Sequence, residues 1–146
     1  MQDNPKKERR SRSSHLIENM LDERNRVFSL LLQVSGMNKE NPGREDRELL
    51  EEFCQLLVDY VAAGHFGLYE RIAEGKERRK DVAAVASKIY SRIEQSTQQA
   101  LEFSEKYNVG INNKTLSDLP ADLSILGEVL AVRIDLEDRL ISRILA

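Results

Sequence analysis

The chain contains one cysteine (Cys54), two histidines (His15 and His65) and no tryptophan. A single thiol excludes an intramolecular disulfide framework and a cysteine-based structural zinc site, and two histidines are too few for a multi-histidine metal centre. This cysteine usage fits a reducing cytosol. Three prolines and seven glycines leave few helix breakers, and aromatics at 5% are poor material for a sandwich or a barrel. No apolar run approaches the roughly 18 residues that span a bilayer. The basic start of the chain is not followed by the apolar stretch of a secretory signal. No segment alternates like a strand, so no glycine-rich phosphate loop follows one. The Glu-x-x-His spacing of bundle metal sites is also missing. Neither a cofactor nor a metal is implied.

What remains is apolar and strongly charged. Leu, Ile, Val and Phe make up 41 of 146 residues, above the fraction at which disorder becomes the default. The length suits one domain with a real core. Charged residues are 32% of the chain and the net charge is −3, but the signs are segregated. Residues 1–12 sum to +3, through Lys6, Lys7, Arg9, Arg10 and Arg12 against Asp3 and Glu8. Glu45 to Asp59 sums to −5. Residues 1–12 therefore read as a disordered basic tail ahead of a single helical-bundle domain over 13–146. An isoelectric point near 5.5 argues against direct nucleic-acid binding.

Helical periodicity recurs four times. Ser13 or Ser14 is placed to cap a first helix carrying Leu16, Ile17, Met20, Leu21, Val27, Phe28, Leu31 and Val34, which Gly36 ends with a left-handed residue. A second helix begins near Glu45 and carries Leu49, Leu50, Phe53, Leu56, Leu57, Tyr60 and Val61, ending or bending at Gly64-His65-Phe66-Gly67. A third runs from about Asp81 with Val82, Val85, Ala86, Ile89, Ile93, Ala100 and Phe103, its stripe turning polar at Ser96 to Gln99. The fourth starts near Asp118, with Pro120 in its first turn and Leu123, Leu126, Leu130, Ile134, Ile141 and Ile144 as its stripe. Four long amphipathic helices with short connectors predict an all-α, up-and-down bundle.

Little in this pattern is catalytic. Cys54 and His65 lie about three turns apart even on one unbroken helix, and a buried structural cysteine is the simpler reading. The informative stretch is Glu52 to Arg71, where Asp59, Tyr60, His65, Phe66, Tyr69 and Glu70 gather aromatics, a histidine and acids. Two readings stand. The aromatics are core and the acids a solvated face, or together they form a patch in which aromatics anchor and carboxylates orient a basic partner.

Phe53-Cys54-Gln55, Leu57-Val58-Asp59-Tyr60, Ala63-Gly64-His65-Phe66 and Tyr69-Glu70 resemble the signature of the Rsd/AlgQ family, bacterial anti-sigma regulators of the primary sigma factor. Leu16-Ile17, Leu21 and Arg24 fit the family's first helix, Thr97-Gln98-Gln99 its third, and Gly127-Glu128, Arg133, Leu136-Glu137-Asp138 and Leu140-Ile141 its fourth. Met20 stands where the family carries tryptophan, Ala62 where serine is usual, and Ala131 where an acid is common. The resemblance implies a non-enzymatic helical bundle that binds the C-terminal domain (region four) of the primary sigma factor one-to-one, keeping it from core RNA polymerase and from the promoter upstream element. No membrane contact is implied. In that setting Asp59 pairs with an Arg or Lys of sigma, Glu70 extends the acidic edge, Phe66 is the apolar anchor and His65 its polar neighbour. Tyr60 is either core or interface. Glu137 and Asp138 either add to this face or pair locally with Arg133 and Arg139, the local pairing being favoured. The polar block in the third helix also suggests a hydrated cavity lined by Cys54, Gln55 and Gln98. The alternative function is a helical adaptor that controls a metabolic or stress-response enzyme through the same acidic surface.

Overall fold

The computed structural model describes residues 5–65, 80–108 and 113–145. They form four α-helices and no strand: α1 (Pro5–Gly36), α2 (Arg44–Gly64), α3 (Lys80–Asn108) and α4 (Asn113–Leu145). Each helix packs on its sequence neighbours, and α1 closes the ring against α4. Lys106 bonds to Asp122 while Thr97 meets Arg133, so α3 and α4 run antiparallel. Phe103 lies against Phe53, whereas Ser96 and Tyr60 share the Arg133–Glu137 pair, so α2 and α3 are antiparallel too. The fold is the up-and-down bundle that the periodicity predicts.

The helix ends have local causes. Asn38 Oδ1 accepts from the backbone N–H groups of Glu40 and Asn41, both at 3.1 Å, which turns the connector. Gly43 is extended and caps α2, and its own N–H donates to Asp46 Oδ2 at 3.0 Å. Glu45 and Asp46 place negative charge in the first turn, where the helix dipole favours it.

Two boundaries and the form of one helix end differ from the sequence reading. α1 begins at Pro5, so the stretch read as a basic tail is helical from there onward. Lys, Arg and Glu are good helix formers, no breaker separates Lys6 from Ser14, and proline suits the first helical position. α4 begins at Asn113, which puts Pro120 inside the helix. Leu116, Leu119 and Leu123 are all buried at helical spacing, and this packing holds the extra turns. Gly36 closes α1 without a left-handed backbone; the Met37 N–H donates to the Val34 carbonyl at 3.2 Å instead.

The core runs the length of the bundle. Met20, Leu50, Leu57, Leu119, Leu130 and Leu140 have no exposed surface. Phe53 and Phe103 meet edge to face at 5.8 Å, and Phe103 leans on Tyr107 at 4.7 Å, a preferred aromatic geometry. The side chains of Val82, Val85, Ala86 and Ile144, and the predicted loop around Gly110, lie outside the described residues. No helix among the described residues is long and apolar enough to cross a membrane.

Candidate functional site

Two features meet along α2. On its outer face Asp59 is exposed, and Gln55 Nε2 donates to its Oδ1 at 3.1 Å. Glu48, Glu51 and Glu52 are exposed on the same helix. One residue on, the helical turn carries Tyr60 into the core, where it is fully buried. Its hydroxyl donates to Glu137 Oε1 at 2.5 Å. Sequence reasoning leaves Tyr60 between core and interface; the structure places it in the core, directly behind Asp59.

Tyr60 belongs to a polar layer to which every helix contributes. Arg133 and Glu137, one turn apart on α4, are 0% exposed and paired at 3.0 Å. Arg133 Nη1 donates to Ser96 Oγ at 3.0 Å and Thr97 Oγ1 at 2.7 Å on α3. The guanidinium also lies 5.1 Å from the centre of the Tyr60 ring. From α1, Arg24 Nη1 reaches Asp138 at 2.8 Å and Glu137 at 3.5 Å. This explains why the α3 stripe turns polar: Ser96 and Thr97 are the acceptors that a buried guanidinium requires.

The electrostatics follow from burial. Burial opposes the charge on Arg24, but Asp138 and Glu137 outweigh it and hold the guanidinium above its ordinary range. Burial, followed by the Glu137 charge, pushes the Tyr60 phenol well up. Burial with the nearby Glu51 charge pushes the Cys54 thiol up to about 12. A thiol held neutral in the core is no nucleophile. The described residues contain no cluster of three His, Cys, Asp or Glu side chains suited to a metal ion.

The remaining candidate residues fall as follows. Glu137 takes the local pairing with Arg133, while Asp138 pairs with Arg24 across the bundle. Arg139 pairs with Asp135 at 3.0 Å rather than with Asp138. His65 is half-buried at the end of α2. Phe66 and Glu70 lie outside the described residues. Cys54, Gln55 and Gln98 are not brought together: Cys54 is buried beside Ser104, which donates to its carbonyl at 3.3 Å, whereas both glutamines face solvent. The polar seam is filled by the Arg133 side chain. The sequence places Arg24 on the first helix but gives it no part in the layer, because an arginine on an amphipathic helix reads as solvated. The readable signal was Arg133 and Glu137 sitting three and seven residues after Leu130, on its own buried stripe.

Among the described residues, the chain thus combines a single buried thiol, a row of exposed carboxylates on α2 and a buried polar layer behind them. The family model for the regulator of RNA polymerase sigma(70) subunit, Rsd/AlgQ, matches residues 2–145. The chain belongs to the Rsd/AlgQ family. It is 34% identical over 136 residues to the regulator of sigma D of Shigella dysenteriae serotype 1, an alignment covering 91% of this chain and 85% of that protein. The regulator of sigma D of Escherichia coli K12 matches with the same identity and coverage. No solved structure matches the chain significantly. The family assignment rests on nearly the whole sequence, so the polar layer and the acidic face of α2 are both features of a family member.

Proposed function

We propose that this protein is an anti-sigma factor. It binds the C-terminal domain (region four) of the primary sigma factor in the cytoplasm, one-to-one, and keeps that domain from core RNA polymerase and from the promoter upstream element. The relatives' name, regulator of sigma D, and the family description support a sigma subunit as partner. The observation that carries the reading is the exposed Asp59 on the outer face of α2, held by Gln55 and backed by a Tyr60 fixed from behind by Glu137.

The chemistry follows from the partner. A helix-turn-helix that reads DNA presents Arg and Lys where phosphates would lie. A carboxylate row on a rigid helix competes for those groups and steers the encounter, with an attraction that weakens in salt. In this reading Asp59 pairs with a basic side chain of sigma, Phe66 is the apolar anchor, His65 is its polar neighbour and Glu70 extends the acidic edge. Tyr60, Arg133 and Glu137 support α2 from within, and Asp138 is engaged with Arg24.

Calorimetry of the purified protein with the isolated sigma domain tests this at low and moderate salt, with Asp59→Ala and Phe66→Ala alongside. The expected result is one-to-one binding that weakens in salt and is lost in both variants. Binding that survives both substitutions moves the site away from α2. A folded sample that does not bind refutes the anti-sigma reading.

A further inference from the structure

The acidic face of α2 is not the only surface suited to binding. Among the described residues, few large apolar side chains are exposed, and two of them share one face of α4: Ile125, 55% exposed, and Val132, 46% exposed. Val129 lies between them, so the three sit four and then three residues apart and form a ridge along two helical turns. Ile125 and Val129 line a groove of about 220 Å³ between α3 and α4, floored by Phe103 and Leu126, and Val132 continues the ridge past its end.

The rim of this groove is negative. Glu102 on the α3 side and Glu128, between Ile125 and Val132 on α4, are exposed, and neither enters an ion pair among the described residues. At one end Lys106 is already held by two carboxylates, Asp118 at 3.0 Å and Asp122 at 2.8 Å. The lining therefore carries Glu102 and Asp122 against Lys106, and Asp118 and Glu128 add exposed negative charge beside it. An apolar strip of this spacing between acidic walls matches one helix face with apolar residues every three or four positions and Lys or Arg on both flanks. The groove lies on the far side of the bundle from Asp59, because α2 packs between α1 and α3 whereas the groove opens between α3 and α4.

We propose that the α3–α4 groove is a second docking surface, taking a basic amphipathic helix from a protein other than the one bound at α2. Both surfaces are then filled at once, so the bundle is an adaptor whose second partner does not compete for the first site.

The test uses the full chain and a Leu/Lys amphipathic peptide of about 18 residues, five helical turns, carrying one tryptophan. The protein has no tryptophan, so the peptide fluorescence reports binding directly. Ile125→Asp and Val132→Asp are both surface changes and leave the fold intact by circular dichroism. Each is expected to weaken binding about tenfold or more, the affinity equivalent of withdrawing one large apolar side chain and adding a charge at the contact. Asp59→Ala is expected to leave peptide binding unchanged. So is Leu32→Asp, a control at a 75% exposed leucine on α1. Any of three outcomes overturns the proposal: groove variants that bind like wild type, equal loss with Leu32→Asp, or equal binding of a peptide with Glu in place of Lys. Sedimentation showing a dimer that Ile125→Asp dissolves would instead assign the groove to a second copy of the chain. None of these readouts depends on whether sigma binds at α2.

Discussion

Replacing Arg133 with methionine removes one charge from the polar layer and leaves the packing volume nearly unchanged. The Arg133–Glu137 pair is 0% exposed at 3.0 Å, so its attraction is about 5 kcal/mol at an effective dielectric near 20. Desolvating the two ions costs several kcal/mol each, so the intact pair contributes little net stability. The single substitution is a different matter. It leaves the Glu137 carboxylate buried with only the Tyr60 hydroxyl at 2.5 Å and Arg24 at 3.5 Å. The expected cost is about 3–5 kcal/mol, a large part of the roughly 5–15 kcal/mol that holds a domain of this size together. Removing the whole group, as Arg133→Met, Glu137→Leu and Tyr60→Phe together, leaves neither a buried charge nor a stranded hydroxyl. That variant is expected to return to within about 2 kcal/mol of wild type. Urea unfolding followed by far-UV circular dichroism measures both, through the midpoint at constant slope. The reasoning fails if Arg133→Met costs less than about 1 kcal/mol, the size of an exposed pair, or if the triple variant is the less stable of the two.

Gly127 lies within α4, and an added Cβ there meets nothing within 4 Å. Gly127→Ala is therefore expected to raise stability by about 1 kcal/mol, through helix propensity and a stiffer unfolded chain, read as a higher urea midpoint. The pH dependence follows from the tyrosines. Burial and the neighbouring carboxylates raise the phenols of Tyr60 and Tyr107 in the folded state. The folded protein then keeps protons that the unfolded chain releases above about pH 10, so stability is full below that pH and falls as pH rises past it. Unfolding midpoints measured from pH 8 to pH 11 should show the fall, and Tyr60→Phe should make it shallower; a flat profile would contradict the burial of these phenols.

Much of this fold was legible because the bundle obeys one rule repeatedly. Apolar residues at helical spacing predict the four helices, and Asn38 to Gly43 supplies the turn that separates the first two. The boundaries that escaped did so where packing overrides local signals. Pro120 reads as a helix start, yet Leu116 and Leu119 are buried ahead of it and carry the helix back to Asn113. Ser13 and Ser14 read as caps, yet nothing before them breaks the helix. The candidate site was legible as a cluster but not in its division of labour. Asp59 and Tyr60 are neighbours in sequence and face opposite ways in space, one to solvent and one to the core. Arg24 was hidden because its partners, Glu137 and Asp138, lie more than a hundred residues away, a separation that no local pattern encodes.

The reach of the polar layer along the chain also bears on the order in which the bundle forms. α1 and α2 pair through the short connector from Met37 to Gly43, and contacts of that kind form early and quickly. The bonds that Tyr60 and Arg24 make in the layer instead join residues 77, 113 and 114 positions apart. They require all four helices in place before Arg133 and Glu137 leave water. Arg133 and Glu137 sit within one turn of α4, but burial of the pair is expected to come late in folding, after the transition state. Lesions in the layer should speed unfolding and leave the folding rate almost untouched.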